Sequence, residues 1–238
     1  DMDIFGSYTF PNHLTSLIIG SASQHINWVL SANKAVDMAN VGVCIPHLIT
    51  LTQDVVFSNI NFDVKTYSFT AEGSASVEFN GCTFTSSVAK AQPILSMSSI
   101  PSFTLSNCQV NDVWATSTSS LIQAQGVGSL VISQTSFSNY TVLYDSFAID
   151  FTATTTSPTS VDLTFVTSTS LSAYNFLHVA NNVSPWTSTP IAVTISHSVF
   201  TGIGSIVLTQ INTTTVTNTT FTNCVASSNT LLSNACFN

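Results

Sequence analysis

Hydrophobic residues recur along most of the chain in a short pattern with unequal steps. An apolar anchor is followed by two residues typical of turns and, five positions on, by a second apolar residue that is usually Phe. The clearest copies are Phe57-Ser-Asn-Ile-Asn-Phe62 and Phe79-Asn-Gly-Cys-Thr-Phe84. Other copies begin at Leu105, Ile132, Leu163, Ile195 and Val216. Inward positions therefore run −2, 0, +3 and +5 from the anchor, which predicts a strand, a corner and a second strand.

The length of the repeat indicates the architecture. Successive anchors follow one another at intervals of two to three dozen positions, and the corner bends the chain rather than reversing it. Units of this kind are typical of the coils of a parallel β-helix, which bury a continuous core only when they stack. Third strands are predicted at Gln92–Met97, Ser120–Gln125, Phe147–Phe151, Phe176–Ala180 and Ser205–Thr209. We therefore predict an all-β, single-stranded parallel β-helix (β-solenoid) of seven or more coils, each of roughly 21–32 residues.

Stacking places equal repeat positions above one another. One apolar ladder is predicted at the +5 position, interrupted only by Ser168; its members are Phe62, Phe84, Val110, Phe137, Phe200 and Phe221. A second row is predicted at the corner, where Asn and Gly tolerate a left-handed backbone; its members are Asn59, Gly81, Asn107 and Asn218. Gln134, Phe165 and His197 interrupt this corner row.

These Phe- and Asn-punctuated repeats resemble two related groups of proteins. One is the right-handed parallel β-helix proteins, or pectin-lyase-like superfamily in the broad sense; the other is the polymorphic outer-membrane proteins and their relatives on protist surfaces. The resemblance covers residues 53–238 and implies a right-handed coil. The Gly-Gly-Ala-Ile element of the outer-membrane repeats is missing.

The two ends of the chain differ in how well they fit the repeat. Residues 1–50 fit it poorly and are predicted to be an N-terminal capping region or a degenerate coil, so that the β-helix occupies residues 51–238. The segment from Leu232 to Phe237 keeps the five-residue spacing. We expect the C-terminal coil to be covered by another chain, by the next subunit of a filament or by the remainder of a longer protein, because an open coil exposes core and strand edges.

Composition excludes several classes of function. Only 6% of the residues are charged, the three basic residues are all Lys, and the formal net charge is −8. A protein that neutralises nucleic-acid phosphates needs many more Lys and Arg residues. No apolar run reaches the roughly 20 residues of a membrane-spanning helix. The chain contains 37 Ser and 34 Thr residues, an uncharged hydroxylated surface that favours a secreted or cell-surface location.

Three kinds of candidate site remain. Cys82 and Cys108 share the +3 position of neighbouring coils, within disulfide range, and form either a disulfide or a reduced ladder in the core. A second pair is Cys224 with Cys236. Glycosylation sequons begin at Asn139, Asn182, Asn212 and Asn218. Long insertions occur at Thr152–Ser160 and Asn181–Pro190, and Trp186 in the second is a candidate contact for a partner or a glycan, or the anchor of its own loop.

Catalytic chemistry has little support in the sequence. Polysaccharide lyases of the resembling superfamily use Arg or Lys with calcium-binding Asp clusters, and polygalacturonases use stacked Asp, His, Arg and Lys motifs, whereas this chain has no Arg. The carboxylate pair that remains is Asp145 with Asp150, and the five His residues fall at unrelated positions. We therefore expect no enzyme, no cofactor and no metal site.

The hypothesis for the whole chain is a structural extracellular β-solenoid glycoprotein, a subunit or segment of a surface fibre. Its expected partners are copies of itself stacked head to tail or the remainder of a longer chain, with glycans as further candidates, and neither nucleic acid nor a membrane span. The alternatives are a cell-surface adhesin or carbohydrate-binding rod and a polysaccharide-cleaving β-helix enzyme.

Overall fold

The computed structural model describes residues 8–9, 16–20, 26–29, 47–51, 54–64, 67–73, 76–86, 90–115, 120–143, 146–154, 159–170, 174–183 and 190–224. These residues form 24 short strands in three sheets of eight, and every strand pairing is parallel. The chain visits the three sheets in turn, so each circuit adds one strand to every sheet. The predicted all-β parallel β-helix is confirmed.

Each sheet runs the length of the described rod. The first sheet contains β1 (Tyr8–Thr9), β4 (His47–Leu51), β7 (Tyr67–Glu72), β10 (Leu95–Ser98), β13 (Ile122–Gln125), β16 (Ile149–Ala153), β19 (Leu177–Asn181) and β22 (Ile206–Thr209). The second contains β2 (Ser16–Gly20), β5 (Asp54–Ser58), β8 (Val77–Asn80), β11 (Ser102–Ser106), β14 (Ser129–Ser133), β17 (Thr159–Thr164), β20 (Ile191–Ser196) and β23 (Thr213–Thr217). The third contains β3 (Ile26–Val29), β6 (Ile60–Asp63), β9 (Thr83–Thr85), β12 (Gln109–Asn111), β15 (Ser136–Ser138), β18 (Thr167–Thr169), β21 (Val199–Thr201) and β24 (Thr220–Thr222).

Three successive strands make one coil, and the coils are numbered 1 (β1–β3) to 8 (β22–β24). All five third strands expected from the sequence belong to the first sheet, although β10 begins three residues later than predicted. Coil 1 lies within residues 1–50, and β4 crosses the boundary expected at residue 51. The two long insertions separate β16 from β17 and β19 from β20, so both occupy the same corner of consecutive coils.

The predicted ladder is present in the third sheet. Phe84 pairs with Val110 and Val110 pairs with Phe137, each in the neighbouring coil. Ser168 then stands between Phe137 and Phe200. These side chains are buried, because strand alternation points the same row of every coil into the shared interior. Vertical stacking of equal repeat positions is therefore confirmed.

The corner between the second and third sheets has the same backbone shape in coils 2 to 8. The residue at this corner has φ between 49° and 65° in every one of these coils, namely Asn59, Gly81, Asn107, Gln134, Phe165, His197 and Asn218. Asn and Gly fit this left-handed conformation at low cost, whereas Gln and Phe do not. The three residues that break the sequence pattern keep the corner, and Gln134 and Phe165 do so with a backbone that their side chains disfavour.

The residue after this corner satisfies backbone groups inside the rod. Thr135 donates from Oγ1 to Ser133 O at 2.8 Å, and the same hydroxyl accepts from Cys108 N–H at 3.2 Å. Ser198 repeats this arrangement two coils later with Ser196 O and Val166 N–H. A short side chain with a hydroxyl or thiol at this row thus binds peptide groups that the bend removes from the ladder.

Neighbouring aromatic rings fill the gap that Ser168 leaves in the ladder. The ring of Phe176 lies 5.2 Å from that of Phe137 and 5.1 Å from that of Phe200, between centroids. Tyr140 approaches from the next row, and its Oη lies 3.2 Å from Ser168 Oγ. Burial raises the pKa of Tyr140 to about 12. Coil 6 therefore retains a packed interior without a Phe in the ladder.

Restoring the repeat residue at this position should destabilise the protein. We expect Ser168→Phe to cost about 1–3 kcal/mol in unfolding free energy, because the space is already occupied by Phe176 and Tyr140 and an added ring overpacks it. Denaturant unfolding followed by circular dichroism measures the loss. Ser168→Ala is the control and should cost about 1 kcal/mol, the value of one hydrogen bond. An unchanged or higher stability of the Phe variant would contradict the packing described here.

Candidate functional site

The four sequon asparagines all lie on the outside of the rod. Asn139 follows β15 with φ 49°, and its Nδ2 donates to Asp112 Oδ1. Asn182 follows β19 directly. Asn212 precedes β23, and its Oδ1 accepts from Ile191 N–H at 2.9 Å. The Nδ2 of Asn218 lies 3.1 Å from a ring nitrogen of the neighbouring corner residue. Exposure is a condition for a glycan, and the attachment itself stays a prediction.

The structure stacks Cys82 directly against Cys108 in the core. No bond joins the two sulfurs in this structure, and the choice between a disulfide and a reduced ladder stays a prediction. Cys224 Sγ lies 3.7 Å from Thr222 O and 3.8 Å from Phe200 O. The expected partner of Cys224, Cys236, lies outside the described residues, as do Trp186 and Asp145.

The first sheet brings together an acid and a histidine that the sequence did not connect. Asp150 in β16 and His178 in β19 are register partners on the outer face, and His178 Nδ1 lies 2.9 Å from Asp150 Oδ1. The His178 ring stacks on Phe147, with centroids 5.0 Å apart and an interplanar angle of 23°. The carboxylate and the aromatic ring together fix the orientation of the imidazole and leave Nε2 on its other edge.

Within the described residues of its own row, this pair has no neighbouring nucleophile. Its neighbours in the row are Gln123 on one side and Val207 on the other. The nearest hydroxyl in this row, Ser96, is three coils from His178. Three parallel-strand spacings amount to about 14 Å, against the roughly 3 Å that a nucleophile and its base require. The arrangement can orient a histidine or bind a polar group, but it does not form a triad.

The sequence could reveal that Asp150 and His178 are neighbours only if the register between their two strands were known. Aligning the predicted strands Phe147–Phe151 and Phe176–Ala180 at their first residues puts Asp150 beside Val179. In the structure Asp150 pairs with His178, the residue before Val179. The sequence offset between these two paired strands is therefore one residue smaller than in this alignment. The second sheet shifts further between the same two coils, because the segment between β19 and β20 is longer than the segment between β16 and β17. A single repeat length therefore could not reveal the pair.

An exposed aromatic cluster lies at the corner of coils 6 and 7. Phe165 is 52% exposed although φ is 55°, a conformation that is a rare outlier for a bulky residue. Its ring stacks on His197 with centroids 4.9 Å apart, and the nearby Val199 is 43% exposed. We call Phe165, His197 and Val199 the corner cluster. Exposed apolar surface on a strained backbone is typical of a site that contacts a partner.

A buried cation lies at the corner between the third and first sheets. Lys90 is 3% exposed, and its Nζ donates to Val64 O at 2.8 Å. The backbone of Lys90 itself forms a parallel β-bridge with Ala115 of the next coil. Burial lowers the pKa of Lys90 from 10.5 to about 8, because the charged amine has lost much of its hydration. This residue therefore weakens the fold while it is charged.

Other chemistry is sparse in the described part of the chain. Among these residues no group of three or more His, Cys, Asp or Glu side chains could hold a metal ion. They also contain no long apolar helix of the kind that crosses a bilayer. The outer face of the third sheet presents mainly hydroxyl and amide side chains, as in Thr83, Gln109, Ser136 and Thr167.

Comparisons with protein-family models, with curated proteins and with solved structures found no significant match to this chain.

Proposed function

We propose that this chain is a structural segment of an extracellular surface fibre, a rod of the right-handed, pectin-lyase-like type whose coils stack end to end with a further copy or with more of a longer chain. The observation that carries the proposal is that, among the residues the structure describes, none covers the inward rows of coil 8. Thr214 is exposed and Val216 is partly exposed, whereas their register partners Val193 and Ile195 are fully buried.

The same position is occupied by core residues in every preceding coil with described side chains. The row that ends in Thr214 consists of Val55, Val77, Phe103, Leu130, Val161 and Val193, all buried. A coil placed on β22–β24 would cover these inward positions and pair their outer strand edges, as coil 8 does for coil 7. Contact between unlike ends of a rod repeats without closing, so it produces a filament.

The sides of the rod support a structural role in a different way. Short polar side chains hydrogen-bond between coils along the axis, for example Ser138 Oγ to Asn111 Oδ1 at 2.7 Å and Ser196 Oγ to Thr164 Oγ1 at 3.3 Å. These contacts join coils without charge, so salt does not screen them. Together with the four exposed sequons, this surface suits a glycosylated protein outside the cell.

Assembly tests the fibre directly. Electron microscopy of the native protein should show rods joined end to end, and aligned material should diffract along the fibre axis at about 4.8 Å, the spacing of parallel strands. Thr214→Lys places a charge on the end face and should abolish filaments, whereas Thr215→Lys on the outer face of the same strand should not. Isolated monomers at all protein concentrations, or equal effects of the two variants, would contradict the proposal.

The corner cluster favours a second candidate function, a binding rod or adhesin. Phe165 sacrifices backbone stability and exposes a ring at a position that is Asn or Gly in coils 2, 3, 4 and 8. Such a residue is expected where contact with a partner outweighs stability. Screening on a glycan array, with loss of signal in a Phe165 variant, would distinguish this function from a purely structural one.

Replacing this residue should stabilise the isolated protein. We expect Phe165→Asn to raise the unfolding free energy by about 1 kcal/mol, because Asn adopts the left-handed backbone at lower cost. Thermal unfolding measures the gain. Asn107→Phe is the reciprocal control at the same corner, where φ is 54°, and should lower stability by a similar amount. A loss of stability in the Asn variant would mean that the stack on His197 outweighs the backbone strain.

A further inference from the structure

Two thiols occupy one vertical row at the centre of the described rod. Cys82 in coil 3 and Cys108 in coil 4 both follow the corner between the second and third sheets. On one side of the cysteines Phe103 pairs with Val77, and on the other side Val110 pairs with Phe84. Both pairs are separated by the same number of residues along the chain as Cys82 and Cys108. The backbone bond from Gln109 N–H to Cys82 O, at 2.8 Å, fixes the register at the cysteines themselves.

The geometry meets the requirements of a disulfide. Paired residues of parallel strands lie about 4.8 Å apart, within the Cα separation of about 4.4–6.8 Å found for disulfides. Both side chains point into the core, at the same repeat position of neighbouring coils. Neither sulfur therefore has to cross the sheet or change faces to reach the other.

The two thiols differ in acidity. The neighbouring Cys108 thiol lowers the pKa of Cys82, while interaction with Cys82 and burial raise the pKa of Cys108. Cys82 is therefore the more acidic of the two sulfurs. A thiolate is the species that attacks a disulfide.

We propose that Cys82 and Cys108 form a redox-controlled link between coils 3 and 4, present as a thiol ladder in the reduced protein and as an intrachain disulfide after reaction with a small-molecule disulfide such as oxidised glutathione. The exchange takes place before the coils close over the two sulfurs, because both side chains are buried in the folded rod. The Cys82 thiolate attacks one glutathione sulfur and releases glutathione thiolate, which takes up a proton. The Cys108 sulfur then attacks Cys82 Sγ of the mixed disulfide, loses its proton and releases the second glutathione. Two protein thiols become one disulfide, and one glutathione disulfide becomes two thiols.

The same row elsewhere in the chain shows what the reduced thiols contribute. Cys108 Sγ lies 3.2 Å from Phe79 O and 3.2 Å from Ser106 O, and Thr135 makes the equivalent contacts with Leu105 O and Ser133 O one coil later. Thr can therefore replace Cys108 without loss of the corner. Oxidation removes these thiol contacts and adds a covalent link that closes one full coil of the chain into a loop.

The experiment uses the full chain with Cys44, Cys224 and Cys236 each changed to Ser, so that only the proposed pair remains. The protein is refolded in oxidised or reduced glutathione, denatured, alkylated and weighed, and a chymotryptic digest locates any cross-link. Oxidised glutathione should give a chain without alkyl groups and a linked peptide pair containing Cys82 and Cys108. Two alkyl groups on the refolded chain would overturn the proposal. The wild-type chain, mapped in the same way, replaces the Ser variant if that variant does not fold.

Thermal unfolding supplies an independent measurement. The oxidised chain should melt roughly 5 °C above the reduced chain, because the link restricts the unfolded state more than the lost thiol contacts weaken the folded one. Cys108→Thr should melt at the same temperature in both buffers. An oxidised chain that melts at or below the reduced one would overturn the link as a stabilising device, even if the bond forms. A redox shift that persists in Cys108→Thr would assign the effect to another group.

Discussion

Phe79→Ala should lower the free energy of unfolding by about 4 kcal/mol, within the range of Phe-to-Ala changes in cores. Phe79 is fully buried at the centre of an aromatic cluster. Its ring stacks on Phe57 with centroids 4.8 Å apart and meets Phe69 and Phe84 edge-on at 5.5 and 5.2 Å. Truncation leaves a cavity bounded by rings of the same coil and of coil 2, which cannot close without moving the ladder. Urea unfolding followed by circular dichroism measures the loss.

Phe79→Leu is the matched control, because Leu105 and Leu163 occupy the same row in other coils. We expect this change to cost less than about 1.5 kcal/mol, since it nearly conserves volume. If the Ala variant lost no more than the Leu variant, the rings would not form a packed unit. Hydrogen exchange of the amides in coils 2 to 4 would show whether unfolding begins locally, as the nearest-neighbour stability of stacked coils predicts.

The stability of the protein should rise with pH by about 3 kcal/mol between pH 8 and pH 10.5 because of Lys90, whose pKa shift converts to a free energy of this size. Its pKa is about 8 in the folded chain and 10.5 when solvated, so the folded state releases this proton first. In the intervening range the unfolded state binds more protons, and stability therefore increases with pH. The stabilisation is fully present above pH 10.5 and is lost as pH falls through 8.

Lys90→Met isolates this effect from other titrating groups. Tyr140, with a pKa of about 12 in the folded state, works in the opposite direction above pH 10, and the stacked cysteines also titrate differently in the two states. The difference between wild type and Lys90→Met cancels these contributions. The Met variant should be the more stable at pH 7, and its advantage should shrink by about 3 kcal/mol by pH 10.5. A pH-independent difference in urea midpoints would show that Lys90 keeps its ordinary pKa.

Much of the fold follows from the sequence because one segment of coils 2 to 8 is free of insertions. From the −2 to the +5 position these coils keep a corner of one or two residues, so Phe84 and Val110 could be aligned by spacing alone. Coil 1 could not, because five residues separate β2 from β3. Its anchor, Ile19, pairs with Phe57, and Trp28 pairs with Phe62. The repeat continues there, but the longer corner hides its period.

The candidate sites differ in how far the spacing of the repeat could predict them. The stacked cysteines were predictable, because they lie in the insertion-free segment. Asp150 and His178 were not, because they lie in the first sheet, whose offset differs from that of the second. The strain at Phe165 was hidden for another reason: the sequence marked it as a break in the Asn row, while the structure shows that the corner persists and that Phe adopts the backbone of Asn.

In this molecule the length of the loops does not change the spacing between neighbouring coils. Coils 2 to 8 differ widely in the number of residues between anchors, yet neighbouring strands keep their pairing, because in these coils the surplus is confined to the junctions that flank the first sheet. The corner between the second and third sheets is consequently uniform in coils 2 to 8. The junctions that flank the first sheet are where new segments can be grafted. An engineer could insert a peptide tag or an enzyme after Ala153 or Asn181 and expect the periodicity of an assembled fibre to be unaltered.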